Sequence, residues 1–511
     1  MCGIIAIFPA DRLVVTEKRL KCFLERQEWR GPDNTGIWID DYKRAYFGHN
    51  RLTILDSSPL ANMPMLSKCK RYVMVHNGEI YNHNELRKRF GLQCDTHSDS
   101  ETLVNLYAKI GPTCVTHLEG MFAFVVFDTA SGQFFAARDQ LGIKPLYYSE
   151  GGEGVVFGSE PAVVNDVVDG SPSEIAINEW KIFRRPIGGK TFFRKVCEVP
   201  PGHYYKSNGG LCRYWKPHRT RDGIDYDEFK SELISSVRSH LLNDYQTVSL
   251  LSGGLDSAII LGLSGIKKSY TIGLPENNEF EGAEDSATIL GASVVKVEIS
   301  RDELQLAWRA LLKSRREPLS VPNEGLIYRV CKAMSDSEKV VLTGEGADEL
   351  LFGYDRIFRW GSDKDSLSLR EFLERYAYAG ASLDLGSETL DYIADLMRDK
   401  SPIEFLEDFF IEVHLPGLLR RMDGASMCAS KEARVPFVTP KLFNLVYRQP
   451  ILARYLDGAP KGPLRSVATE MNLTGALSRK KIGFSASFQG SGSQAEYQYF
   501  QKFCLDELNW I

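Results

Sequence analysis

The sequence predicts two successive domains of different class: an α+β domain rich in short strands, then an α/β domain built on a doubly wound parallel sheet. Three observations carry that expectation. The chain has 511 residues, enough for two to four domains at roughly 150 residues each. Over its first part, short β-branched and aromatic runs are separated by Gly, Asn, Asp and Ser turns. After about residue 220 strand and helix signals alternate, the pattern of a parallel sheet with helices on both faces.

Taken in order, IIAIF, YVMVH, MFAFVVFD, GQFFAARD and GVVFGSE read as strands. TEKRLKCFLERQEW and SDSETLVNLYAKI carry helical spacing between them. The boundary falls in the stretch 200–222, around PPGHYYKSNGG, giving domains at 1–210 and 222–511. In the second domain a helix-like FKSELISSVRSHLLND leads into TVSLLSGGLDSAIILGL, which reads as strand, Gly-rich loop and helix. KVVLTGEGADELLFG repeats the strand-to-loop pattern, and amphipathic helices follow it.

Composition narrows the function classes. Apolar residues make up 43% and charged residues 25%, an ordinary globular balance that argues against disorder and against a disulfide-dense scaffold. A net charge of −5 lacks the basic bias of a dedicated nucleic-acid binder. No apolar run approaches the ~20 residues that cross a bilayer, so no membrane partner is expected. The opening MCGIIAIFPADR has no basic residue before its short apolar stretch, which does not fit a signal peptide. Ten scattered cysteines, without a C-x-x-C pair or an H-E-x-x-H, fit a reducing cytoplasm better than a zinc site.

Cys2 needs separate treatment. Once Met1 is removed, its own α-amine, with an ordinary pKa near ~8, stands beside the thiol and can activate it without a histidine. Other segments supply what amide hydrolysis of an amino acid needs. Arg30-Gly31-Pro32-Asp33 is a turn with a fixed cation, and Arg51 follows a strand. Asn77 and the Gly78 N–H could form an oxyanion hole, worth ~3 kcal/mol of transition-state stabilisation. A guanidinium such as Arg51 suits an α-carboxylate, and a carboxylate such as Asp99 suits an α-ammonium. Singly, each is an ordinary turn residue or surface charge.

MCGIIAI, RGPDNTG, GHNRLTILD, NGEIYN, SDSE, MFAFVVFD and ARDQLGIKPLYY closely resemble the class II glutamine amidotransferase domain, from residue 2 to about 160 and in the same order. The resemblance implies an N-terminal-nucleophile fold of αββα layers. It makes Cys2 the glutaminase nucleophile and gives Arg51, Asn77, Gly78, Glu79 and Asp99 the glutamine-binding and oxyanion positions. Trp29 and Met63 depart from the common His and Gln without touching the expected chemistry.

In the second domain Leu251, Ser252, Gly253, Gly254, Leu255, Asp256 and Ser257 form a loop between a strand and an apolar helix. Its glycines admit a phosphate closely, and its N–H groups point at the anion. The Gly-Lys-Ser/Thr of a Walker loop is missing, so pyrophosphate as leaving group fits better than γ-phosphate transfer. Asp256 is available to hold Mg2+. The Gly344–Glu349 segment also follows a strand, so in a doubly wound sheet both loops lie at carboxyl ends of strands, where ligands bind. There Asp348 could join Asp256 at the metal and Glu345 could act as a base.

SGGLDS, TIGLP, GEGADE, RRMDGASMCASKEARVPF and RKKIGF resemble the ATP-pyrophosphatase domain of asparagine synthetases over about residues 225–490. The resemblance implies that Gly344 and Glu345 join the ATP-binding loop, that Glu345 deprotonates the ammonia adduct, that Lys481 stabilises the adenylate and that Asp423 contacts the acceptor. It also implies Mg2+, ATP as co-substrate, an intramolecular ammonia tunnel and a homodimer. Two departures fall on the acceptor side: Thr439 for the usual aspartate, and Gly424 for a long basic or polar residue.

The expectation is a cytoplasmic amide synthetase whose partners are glutamine, ATP and an acceptor carboxylate, aspartate by default. The alternatives are the same chemistry on a sugar uronate or natural-product acid, a non-enzymatic regulatory protein on this scaffold, and a tRNA-modifying ligase, which the charge balance disfavours.

Overall fold

A computed structural model describes residues 2–10, 15–152, 154–220, 222–377, 385–479 and 494–510. The chain forms two compact units. The first comprises Met1–Ala176, Gly189–Lys216 and Leu242–Tyr245; the second comprises Ile177–Gly188, Pro217–Leu241 and Gln246–Ile511.

The first unit is built on two six-stranded antiparallel sheets. One runs Cys197–Glu198, Tyr147–Gly151, Gly154–Gly158, Gly3–Pro9, Tyr46–Arg51, Asn34–Ile39. The other runs Gly210–Arg213, His203–Lys206, Phe134–Arg138, Gly120–Asp128, Tyr72–Ile80, Met65–Leu66. Strand alternation explains the layering. On Gly120–Asp128, Ala123, Val125 and Phe127 enter a core shared with Ile4, Ala6, Phe8 and Phe47 of the facing sheet. Phe122, Phe124 and Val126, on the opposite face, pack under Leu86, Leu103, Val104 and Leu106 of helices His83–Phe90 and Asp99–Ile110. Each such aromatic contributes about 2–3 kcal/mol by burial. Helices Glu17–Glu25 and Pro161–Val168 cover the outer face of the first sheet, where Leu24 meets Gly48 and Val164 meets Gly158. The layers are therefore αββα, as the resemblance implied.

The second unit holds a five-stranded sheet in the order Ser293–Glu298, Lys268–Gly273, Gln246–Leu250, Glu338–Leu342, Glu432–Arg434, with every pairing parallel. The order reverses at Gln246–Leu250. Right-handed crossovers on either side of that strand place the connecting helices on opposite faces. In an open parallel sheet such a reversal is where ligands bind, outside the carboxyl ends of the strands. The helix expected through residue 244 is shorter, spanning Tyr226–Ser239 with His240 as its C-cap. Beyond it Asp244 turns away to bond with Ile54 and Asp56.

Two candidate active sites

In the first unit, register brings the predicted residues together. Gly3 lies opposite Asn50, which sets Cys2 beside Arg51 at the ends of adjacent strands. Cys2 is 7% exposed. Its N–H donates to Asn77 Oδ1 at 2.9 Å, and its carbonyl accepts from Arg30 Nε at 3.0 Å. Arg30 is itself held by Glu160 at 2.6 Å, both side chains being buried, so the RGPD turn clamps the residue that carries the thiol. Sequence reasoning missed Glu160, which stands 130 residues away at the start of a helix.

Asn77 points towards Cys2, and its Nδ2 is buried with no hydrogen-bond partner among the described residues. An amide donor left that way costs about 1–3 kcal/mol unless something arrives to accept from it. The next residue offers a second donor. Phe122, opposite Gly78, gives its N–H to Asp139 Oδ2 and its carbonyl to the Asp139 N–H. Gly78 and Phe122 are therefore a non-hydrogen-bonded pair, and the Gly78 N–H turns away from that strand. Gly78 has φ +150°, and a Cβ there would lie 2.0 Å from the Met121 carbonyl oxygen, so only glycine fits. Asp99 accepts the Ile80 N–H at 2.8 Å, which ties the start of helix Asp99–Ile110 to the strand bearing Asn77, Gly78 and Glu79.

Arg51 is more engaged than a waiting carboxylate partner. Nη1 donates to Asn62 Oδ1 at 2.7 Å and to the Ser58 carbonyl at 3.3 Å. Nη2 donates to the carbonyls of Leu55 and Asp56. Nearby, His49 is wholly buried, and burial pushes its pKa down to about 3, so its ring is neutral at physiological pH. A neutral His49 adds no cation to the site.

In the second unit, the Ser252–Ser257 loop closes on itself. Ser252 N–H donates to Ser257 Oγ at 3.0 Å and Gly254 N–H to Ser252 Oγ at 3.1 Å, with Gly254 as N-cap of helix Leu255–Ser264. Gly344 brings the second loop against the first: a Cβ there would lie 2.9 Å from Ser257 N and 3.0 Å from Asp256 Cβ. The two carboxylates expected at a metal do converge, but around an ammonium. Lys461 Nζ lies 2.7 and 2.8 Å from the two Asp256 oxygens and 2.6 Å from Asp348 Oδ1. Sequence reasoning missed Lys461, because a Lys-Gly pair in APKGPLR reads as a solvated loop cation.

The GEGADE loop is balanced in charge. Glu345 Oε1 accepts from Arg421 at 2.9 Å, and Asp348 has Lys461. Burial, with Asp348 and Glu345 beside it, pushes the pKa of the third carboxyl, Glu349, well above the ordinary carboxylate range, and Tyr354 donates a hydrogen bond to it. Asp423 is buried on helix Leu415–Met427. Lys481 lies outside the described residues, as does the rest of the RKKIGF segment beyond Arg479. Among the described residues no group of three or more His, Cys, Asp or Glu forms a metal cage.

The two acceptor-side departures have structural accounts. Thr439 Oγ1 accepts the Leu442 N–H as N-cap of helix Pro440–Val446, a part that an aspartate also plays. The space beyond Gly424 is taken by the Arg315 guanidinium, whose Nη1 lies 3.0 Å from where a Cβ would stand. Glu324 and Glu317 hold that guanidinium at 2.5 and 2.6 Å.

A family profile described as "Glutamine amidotransferase domain" matches residues 1–215, and one described as "Asparagine synthase" matches residues 228–508, more than half of the chain. The chain belongs to the asparagine synthase family. Asparagine synthetase [glutamine-hydrolyzing] 3 of Bacillus subtilis is 28% identical, over 94% of this chain and 86% of its own. Asparagine synthetase B of Escherichia coli is 32% identical, over 69% and 65% respectively, and asparagine synthetase 2 of Arabidopsis thaliana is 30% identical over 69% and 61%. As a member of the asparagine synthase family the chain is an enzyme, a glutamine-dependent amidotransferase and ligase. No helix among the described residues is long and apolar enough to cross a membrane.

Proposed function

We propose that the chain is a cytoplasmic enzyme that converts aspartate to asparagine with glutamine as nitrogen donor, forming AMP and pyrophosphate. The observation that carries this is the paired build of the sites: a thiol residue tied to a buried amide with a spare donor, and two carboxylates converging beside the Ser252–Ser257 loop at a helix N-terminus. In the first site Cys2 Sγ attacks the carboxamide carbon of glutamine after the Cys2 α-amine takes the thiol proton. Asn77 Nδ2 and the Gly78 N–H receive the oxyanion, the C–N bond breaks and ammonia leaves. Water then releases glutamate from the thioester. Arg51 takes the glutamine α-carboxylate, and Asp99, with Glu79, takes its ammonium.

In the second site an acceptor oxygen attacks the α-phosphorus of ATP, pyrophosphate leaves, and ammonia displaces AMP from the acyl carbon. Residues 251–257 with Gly344 cradle the phosphates, Glu345 takes the proton lost by the ammonia adduct, Asp423 faces the acceptor, and Lys481 steadies the adenylate. Asp256 and Asp348 fit Mg2+, which takes one or two carboxylates and leaves its other positions to phosphate oxygens and water. When bound, the ion neutralises the pyrophosphate leaving group.

Aspartate-dependent exchange of labelled pyrophosphate into ATP tests this reading; exchange without any carboxylic acid, or ADP in place of AMP, counts against it. A second acceptor is favoured by one observation. The cation next to Gly424 is Arg315, locked by two glutamates rather than extended from position 424, which changes what an acceptor would meet there. Exchange driven by a uronate or another acid but not by aspartate would select it.

A further inference from the structure

Four residues, Leu242–Tyr245, pack with the first unit although the chain on both sides of them belongs to the second. Their attachment is specific. Asp244 N–H donates to the Ile54 carbonyl at 3.0 Å. Asp244 Oδ2 accepts the Asp56 N–H at 2.7 Å and lies 3.1 Å from His97 Nε2. The other ring nitrogen of His97 lies 3.3 Å from Asp56 Oδ2, and the His97 N–H donates to that same oxygen at 3.0 Å. Asp56 also accepts the Ser58 N–H at 2.9 Å. Asp56 has φ +60°, a left-handed conformation that costs a non-glycine residue about 1–2 kcal/mol and persists only where its surroundings over-determine it. Asp244, His97 and Ser58 supply that determination.

The inner side of the same loop seats Arg51. A guanidinium carries five N–H donors in a rigid fork, and four of them here are directed to Ser58, Asn62, Leu55 and Asp56. The plane and reach of the fork therefore follow residues 55–58. An incoming carboxylate must share or replace some of these acceptors, so its affinity depends on where the loop holds them.

We infer that Asp244 is a positioning residue for glutamine capture: it pins the loop at residues 54–58, and that loop sets the Arg51 fork for the α-carboxylate. This rests on Arg51 being the carboxylate's partner.

The full-length enzyme and three variants test it through glutaminase kinetics: Asp244→Ala, Asp244→Asn and Arg51→Lys. Asp244→Ala removes the acceptor of a charge-assisted hydrogen bond, and KM for glutamine should rise about tenfold with kcat within about twofold of wild type. Asp244→Asn keeps an oxygen for the Asp56 N–H and should restore KM to within about threefold of wild type. Asp244 is 41% exposed, so both variants should melt within about 4 °C of wild type, and ATP affinity by titration calorimetry should be unchanged. An unchanged or lowered KM in Asp244→Ala, a fall in kcat at constant KM, or loss of ATP affinity alongside overturns the inference. Arg51→Lys separates the two layers. If it leaves KM unchanged the carboxylate assignment itself fails; if it raises KM while Asp244→Ala does not, only the positioning role fails.

Discussion

Replacing Lys461 by Met tests how the second site manages its own charge. The ammonium bridges Asp256 and Asp348 at 2.6–2.8 Å; the lysine and Asp256 side chains are each 9% exposed, and Asp348 is 18% exposed. Methionine preserves most of the volume and removes the cation, leaving two neighbouring carboxylates. Breaking a buried pair from one side costs about 3–5 kcal/mol, and the partial exposure of Asp348 places this site near the lower end. At roughly 2 °C per kcal/mol for a unit of this size, the variant should melt about 6 °C lower in chelator. Added Mg2+ has a vacated pair of carboxylates to bind, so millimolar Mg2+ without nucleotide should restore most of the loss in Lys461→Met and do little to wild type. Differential scanning calorimetry in chelator and in Mg2+ reads both effects. An unshifted melt in chelator, or a deficit that Mg2+ leaves untouched, refutes the idea that Lys461 neutralises Asp256 and Asp348 in place of a metal ion.

Other expectations follow from single contacts. Asn77→Ala should lower glutaminase kcat about 100-fold, because it deletes the buried Nδ2 donor, while Cys2→Ala should abolish glutaminase activity and leave ATP binding intact. His49 titrates near 3 when folded and near 6.5 when unfolded, so the unfolded chain takes up the extra proton as pH falls between those values, and stability drops with it. At pH 5 that loss is about 2 kcal/mol, and urea unfolding at pH 7.5 and 5.0 should show it in wild type and not in His49→Asn. Thr439→Ala should cost about 1 kcal/mol in urea unfolding through loss of the cap and leave acceptor preference unchanged, whereas Thr439→Asp should keep the cap.

Much of the architecture was legible because two simple periods dominate it. The short apolar run MFAFVVFD reads as a strand, and the structure shows why it is apolar throughout: its residues divide between two cores. The loops SGGLDS and GEGADE could be placed at strand ends because β-branched runs precede them, and the reversal of strand order then brings them into contact at Gly344. The partners of those residues were not legible. Glu160 holds Arg30 across 130 positions, and Lys461 reaches Asp256 across 205. Neither pairing leaves a local pattern, since a buried ion pair is specified by the meeting of two surfaces and not by spacing along either strand. Asp244 was hidden for a related reason. LLND reads as the end of an amphipathic helix, and only the capture of Asp244 by Ile54 and Asp56 shows that the helix stops earlier.

The most direct measurement supplies the enzyme with glutamine labelled with nitrogen-15 at the amide, together with ATP, Mg2+ and aspartate, and follows the label by mass spectrometry alongside the nucleotide products. The account predicts labelled asparagine, glutamate, AMP and pyrophosphate in equal amounts, with the label lost entirely in Cys2→Ala. Labelled ammonia accumulating with no AMP formed, or an amide product that still carries the label in Cys2→Ala, would contradict it.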